Sequence, residues 1–125
     1  MGRYFKEEDE ITKKSLELLK IFKLEDKAYE VAKNLPYGAQ RRLEIARALA
    51  TKPKLLLLDE PMENLDVYNE KLIQRILSDL KNKVTVIIIG HRLQTLKNAD
   101  ELIYLQQGKL VDSEKIKDKI NYFSE

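Results

Sequence analysis

Asp59 and Glu60 end one apolar run, Leu55-Leu56-Leu57-Leu58, and the chain's single histidine, His91, ends another, Val84-Thr85-Val86-Ile87-Ile88-Ile89-Gly90. Aliphatic runs of this kind suit strands buried on both faces of a parallel sheet, and groups at the carboxyl ends of such strands stand where α/β sheets bind ligands. Two adjacent acids at that place can divide a task. In nucleotide hydrolysis one carboxylate helps to hold Mg²⁺, directly or through water, while another orients or deprotonates the attacking water. Successive residues of an extended chain point in opposite directions, so Asp59 can face a metal while Glu60 faces the water. Taken alone, the same residues also describe a strand end capped by solvated acids and a structural histidine.

Upstream lies Leu35-Pro36-Tyr37-Gly38-Ala39-Gln40-Arg41-Arg42, followed by Leu-Glu-Ile-Ala-Arg-Ala-Leu-Ala and Thr51-Lys52-Pro53. Leu43, Ala46, Leu49 and Ala50 recur at helical spacing and Pro53 ends the pattern, which places Gly38 at a helix N-terminus. Free N–H groups and the helix dipole make such an end able to bind phosphate. A Pro-x-Gly before a helix is also an ordinary turn.

Residues 35 to 66 resemble the signature motif, signature helix, Walker B strand and D-loop of an ATP-binding-cassette (ABC) ATPase. Tyr-Gly-x-Gln-Arg-Arg-Leu-Glu-Ile-Ala-Arg-Ala-Leu is similar in detail to the ATPase subunits of branched-chain amino-acid importers. The resemblance implies Asp59 as the acid on Mg²⁺ and Glu60 as the catalytic base. Asn64-Leu65-Asp66 then stands as the D-loop, with Asp66 reaching across a subunit interface, and His91 as the switch histidine at the γ-phosphate. It also implies Gly38, Ala39 and Gln40 as nucleotide-contacting signature residues, Mg-ATP as the substrate complex, transmembrane permease subunits as partners and a cytoplasmic location. Arg92-Leu93, Asn98-Ala99-Asp100 and the closing Gln107-Gly108-Lys109-Leu110-Val111 extend the likeness over roughly residues 10 to 112.

Departures from the family pattern are as informative. Pro36 stands where the signature has serine, and it offers neither a hydroxyl nor a backbone N–H. Tyr37 adds bulk where the family has glycine, and Ala39 replaces glutamine. The 125 residues contain no Gly-x-x-x-x-Gly-Lys-Ser/Thr, their glycines being Gly2, Gly38, Gly90 and Gly108. A main-chain phosphate cradle, a phosphate lysine and a hydroxyl ligand for Mg²⁺ are therefore expected from elsewhere, either from a P-loop-containing half or by self-association. The resemblance implies a full cassette of about twice the usual small-domain length, whereas 125 residues suffice for one domain with a modest core. The start at a Lys/Glu-rich helix, where a cassette's helical subdomain is in mid-course, reads as a truncated or engineered unit.

These groups need elements to position them. Ile11, Ser15, Leu18, Leu19 and Phe22 mark a first amphipathic helix, and Ala28, Val31, Ala32 and Leu35 a short second one. After the signature helix come strand 54–59, a helix from Val67 to about Lys81 with Ile73, Ile76, Leu77 and Leu80 inward, and strand 84–89. A short helix from Leu93, strand 101–105, a turn at Gln106-Gln107-Gly108 and strand 109–112 follow, and Ser113 caps a last helix carrying Ile116, Ile120 and Phe123. The order predicts an α/β, P-loop NTPase-like partial domain: a short parallel sheet flanked by helices with a C-terminal hairpin. It divides into a helical signature region (10–52), a Walker B to switch-histidine core (53–112) and a C-terminal helix (113–125).

In full cassettes the P-loop strand lies between those resembling 84–89 and 101–105. Its absence is repaired by direct pairing of these two strands, by another chain, or by a separate P-loop half.

Composition narrows the partners. With 23 basic and 21 acidic residues the net charge is +2, which gives no strong nucleic-acid signal. No apolar run reaches the ~20 residues of a membrane span, and the absence of cysteine excludes disulfides and thiolate chemistry. Arg41, Arg42 and Arg47 read as phosphate or permease contacts, or as solvated cations paired with acids such as Glu44. Tyr29, Tyr37, Tyr68 and Tyr104 read as packing residues rather than adenine platforms. The reading these features carry furthest is the C-terminal half of an ABC ATPase that hydrolyses ATP when a P-loop is supplied in trans. The alternatives are a non-catalytic α/β scaffold that retains the motifs and a half of a DNA-repair-type split ATPase.

Overall fold

A computed structural model describes residues 2–111; the expected helix from Ser113 lies outside the described residues. The chain runs α1 (Gly2–Ile21), two 3₁₀ turns (Glu25–Lys27 and Ala32–Asn34), α2 (Tyr37–Ala50), β1 (Leu55–Asp59), α3 (Val67–Asp79), β2 (Thr85–Ile89), α4 (Leu93–Leu96) and a hairpin of β3 (Leu105–Gln106) and β4 (Lys109–Leu110). β1 and β2 pair in parallel with Leu55 opposite Thr85 and Asp59 opposite Ile89, and α3 makes the crossover that parallel pairing requires.

The core forms on one side of this two-stranded sheet. Leu56 projects from β1 into a cluster with Ile45 and Ala46 of α2 and Leu72, Ile73, Ile76 and Leu77 of α3, and Leu58, Val86 and Ile88 pack against it. On α3 these residues follow the i, i+3, i+4 spacing of a helix face, as the sequence predicts. Leu80, expected inward, is half-buried just beyond the helix end. Asp66 opens α3 as its N-cap, accepting a hydrogen bond from the backbone N–H of Asn69 at 3.0 Å.

Four expectations are corrected. The strands are not buried on both faces: Leu55 and Leu57 are 54% and 60% exposed, and Ile87 and Ile89 are 47% and 51% exposed. Helices cover the side bearing Leu56 and Leu58, while the other side has no covering layer among the described residues. The segment 28–35 is not an α-helix but a turn followed by a single 3₁₀ turn at Ala32–Asn34.

Third, the inward face of α2 is rotated from the predicted one. Ile45 and Arg42 are buried, Leu43 and Leu49 are partly covered, and Ala50 is exposed. Arg42 tolerates burial because its Nη1 donates to the carbonyls of Phe22 (2.8 Å) and Lys23 (3.3 Å), just past the C-terminal end of α1 where carbonyls lack helical partners.

Fourth, the strand expected over 101–105 shrinks to Leu105–Gln106. It pairs antiparallel with β4 across a two-residue turn with positive φ at Gln107 and Gly108, and joins its own sheet rather than β2.

Two helices touch at a glycine. A Cβ on Gly38 of α2 would overlap the side-chain amide of Asn69 on α3, which donates from Nδ2 to Asp66. Gly38 is thus needed for close approach, and the usual helix gain of alanine over glycine is reversed here.

Three stability predictions follow from this packing. Ile73, fully buried, should cost about 2–5 kcal/mol on truncation to alanine, read as a lower urea midpoint. Gly38→Ala should destabilise by about 1–3 kcal/mol, and adding Asn69→Ala should recover part of the loss; strict additivity would disprove the contact. Asp66's carboxyl is held below its ordinary 3.8, chiefly by the Asn69 backbone N–H and then by the Asn69 side chain. A depressed folded-state value adds stability above the unfolded value and loses it as pH falls through the folded one. Asp66→Ala should therefore lower the urea midpoint at about pH 7 and do so much less well below pH 3.8; an equal loss at both pH values would contradict this.

Candidate active site

Asp59 is the last residue of β1, exposed and opposite Ile89. It borders a shallow hollow of about 190 Å³ together with Arg41, Glu44, Leu57 and Pro61. The ladder continues one step further, since the N–H of Glu60 donates to the Ile89 carbonyl at 2.9 Å. Glu60 then turns out of the strand with φ +43°, a left-handed conformation that costs a residue with a Cβ about 1–2 kcal/mol.

That turn directs the Glu60 side chain across to the end of β2. Glu60 Oε1 and His91 Nδ1 lie 2.7 Å apart. An ionised carboxylate only accepts, so a neutral imidazole donates here from Nδ1, which leaves Nε2 as an acceptor. Glu60 is half-buried and His91 is 66% exposed, so one member is sheltered by protein while the other faces solvent. Gly90 passes close by: a Cβ there would sit 3.8 Å from Glu60 Oε2 and 3.6 Å from the Thr95 methyl, which is ordinary contact.

The Glu60 backbone is tied from above. Its carbonyl accepts from Arg41 Nη2 at 3.1 Å and from the Glu63 N–H at 3.1 Å. A hydrogen bond from a charged donor contributes about 1.5–3 kcal/mol, enough to offset the left-handed turn. Arg41 also pairs with Glu44 through Nη1 at 3.0 Å, as the sequence expectation had it. Its Nε is buried without a hydrogen-bond partner among the described residues.

The remaining expected site residues stand apart from the acid–histidine pair. Gly38 and Ala39 are buried where α2 begins, and Gln40 Nε2 donates to the Leu35 carbonyl at 2.8 Å, closing the turn before the helix. Asp66 is exposed and occupied in capping α3. Contrary to the packing expected of them, Tyr29 is 93% exposed and Tyr37, Tyr68 and Tyr104 are exposed as well. Sequence reasoning gave Arg41 no part in holding Glu60 and did not single out Asn69 at all. No local signal marks either, since each acts on a residue from a different element.

No described group of three or more His, Asp and Glu is gathered to hold a metal, and among the described residues no helix is long and apolar enough to cross a membrane. The arrangement can supply one exposed carboxylate for a cation and a carboxylate–imidazole pair for orienting water or moving a proton.

Comparison with known proteins is consistent with this geometry. A family model described as ABC transporter matches residues 3–63. A phosphate import ATP-binding protein of Saccharolobus solfataricus is 41% identical over 88 residues, covering 70% of this chain and 34% of that protein. A multidrug resistance-like ATP-binding protein of Buchnera aphidicola is 45% identical over 83 residues, covering 66% of this chain and 14% of its own length. Among solved structures, the ADP conformation of an ATP-binding cassette of an ABC transporter superposes with TM-score 0.77 at 29% identity, over 93% of this chain and 51% of the cassette. The chain thus spans about a third or less of these curated relatives and about half of the solved cassette. Sequence and fold agree that this chain is a segment of an ABC transporter ATP-binding domain, built on the P-loop NTPase fold.

Proposed function

We propose that this chain supplies the signature helix, the metal-facing acid, the catalytic carboxylate and the switch histidine of an ABC-type ATPase, and that it hydrolyses Mg-ATP when a P-loop is presented by another segment or chain. The observation that supports this most is the 2.7 Å contact between Glu60 and His91 at the ends of two adjacent parallel strands, the place where open α/β sheets bind ligands. Glu60 orients and deprotonates the attacking water. His91 leaves Nε2 clear of Glu60; with both ring nitrogens protonated it would donate from Nε2 to a γ-phosphate oxygen while Nδ1 still donates to Glu60. Asp59 would help to hold Mg²⁺, directly or through a water, and the ion would neutralise charge on the phosphates.

Gly38 and Ala39 fit a role as the N-terminal end of the signature helix, with Gln40 shaping the turn before it. Asp66 fits a D-loop residue at a subunit interface. The exposed apolar sheet face of Leu55, Leu57, Ile87 and Ile89 supports a covering partner, either the P-loop half or a second copy. The Tyr37-Gly38-x-Gln40-Arg41-Arg42 segment favours the branched-chain amino-acid importer type, with transmembrane permease subunits as further partners and a cytoplasmic, membrane-peripheral site of action.

The test mixes the chain with the P-loop-bearing portion of a related cassette and follows phosphate release. Glu60→Gln should lower the rate by about 10²–10⁴-fold, the usual worth of a positioned general base, while nucleotide binding persists. His91→Ala should also slow turnover. Equal rates for wild type and both variants, or no hydrolysis by any mixture that binds nucleotide, would refute the assignment.

A further inference from the structure

Glu60 is held in a backbone conformation it does not prefer, and the direction of its side chain depends on that conformation. Three hydrogen bonds fix the peptide groups on either side: its own N–H to Ile89, and its carbonyl from Glu63 and from Arg41. The first two belong to the strand ladder and to the tight turn that follows it. The third comes from a different element, the signature helix, and is the one donated by a charged group. Arg41 is the shielded member of its ion pair, with its side chain 25% exposed against 60% for Glu44. It is therefore fixed better than a surface arginine, and its second guanidinium nitrogen is anchored through Glu44.

We propose that Arg41 is a positioning residue for the Glu60–His91 pair: by holding the Glu60 carbonyl it keeps the carboxylate aimed at His91 Nδ1. The signature helix thereby sets the geometry of the acid–histidine pair from within the same chain. A shift of α2 relative to β1 would be felt at the carboxylate before it was felt in the core. The inference bears on catalysis only through the function proposed above, but its central readout needs no nucleotide.

His91 is the only histidine, so ¹⁵N NMR of the labelled chain reports one imidazole. At alkaline pH, where an imidazole is ordinarily neutral, the wild type should carry its proton on Nδ1, the nitrogen that donates to Glu60. Arg41→Met should release the carboxylate and return the proton to Nε2, with the amide spectrum showing an intact fold. Arg41→Lys, which keeps a charged donor, should retain the Nδ1–H form, and so should Glu44→Gln, which removes only the outer ion pair. Should Arg41→Met fail to fold, Arg41→Gln, polar but too short to reach the carbonyl, takes its place. A folded methionine or glutamine variant that keeps the proton on Nδ1, or a wild type with it on Nε2, would overturn the proposal.

In the reconstituted ATPase mixture the same Arg41 substitution should lower kcat by about tenfold to a hundredfold with KM unchanged. If that mixture releases no phosphate at all, the ATPase reading fails while the tautomer result still decides the role of Arg41.

Discussion

Parallel register between Leu55–Asp59 and Thr85–Ile89 is the constraint on which the rest depends. Side chains alternate along a strand, so slipping β2 by one residue would exchange the faces of Val86 and Ile88 with those of Ile87 and Ile89, stripping the core on the helical side. The same slip would move the end of β2 by about 3.3 Å, and His91 would lose Glu60. Burial and chemistry are therefore specified by one pairing. The crossover helix supports it, because Ile73 and Ile76 share one core cluster with Leu56 of β1, against which Val86 and Ile88 of β2 also pack.

Two neighbouring arginines on α2 perform different work because a helix turns about 100° per residue. Arg42 faces inward and donates to the carbonyls of Phe22 and Lys23 just past the end of α1, which fastens the N-terminal helix to α2. Arg41 faces the sheet and fastens α2 to the turn after β1. One end of α2 also approaches α3 closely enough that a Cβ at position 38 would overlap the Asn69 side chain. Helix α2 is thus the hub of the described residues, bound to α1, to the strand end and to α3 by three separate contacts.

The other side of the sheet has no such support among the described residues. Four aliphatic side chains on two strands are roughly half exposed there, and the C-terminal hairpin forms its own sheet instead of extending the first. Among the described residues, a layer of helices on one face and none on the other is an incomplete version of the three-layer arrangement typical of parallel sheets. It matches a chain whose fold aligns with about half of a solved cassette.

Much of this was legible in the sequence. The two β runs, the helices over 37–50 and 67–79, the closing turn at Gln107-Gly108 and the candidate acids and histidine are all marked by local pattern, because periodicity, turn residues and abrupt polar stops are properties of neighbouring positions. Local pattern equally explains the failures. An apolar run states that a strand can be buried on both faces, but whether it is depends on how many layers the chain brings to it, so Leu55 and Leu57 were misread. Arg42 looked solvated because nothing near it in sequence shows that α1 ends beside it. Only the tertiary structure could place Arg41 against the Glu60 carbonyl, Asn69 against Gly38, and Glu60 against His91. These are contacts between separate elements, and a hydrogen bond made across the fold leaves no periodic trace in the segments it joins.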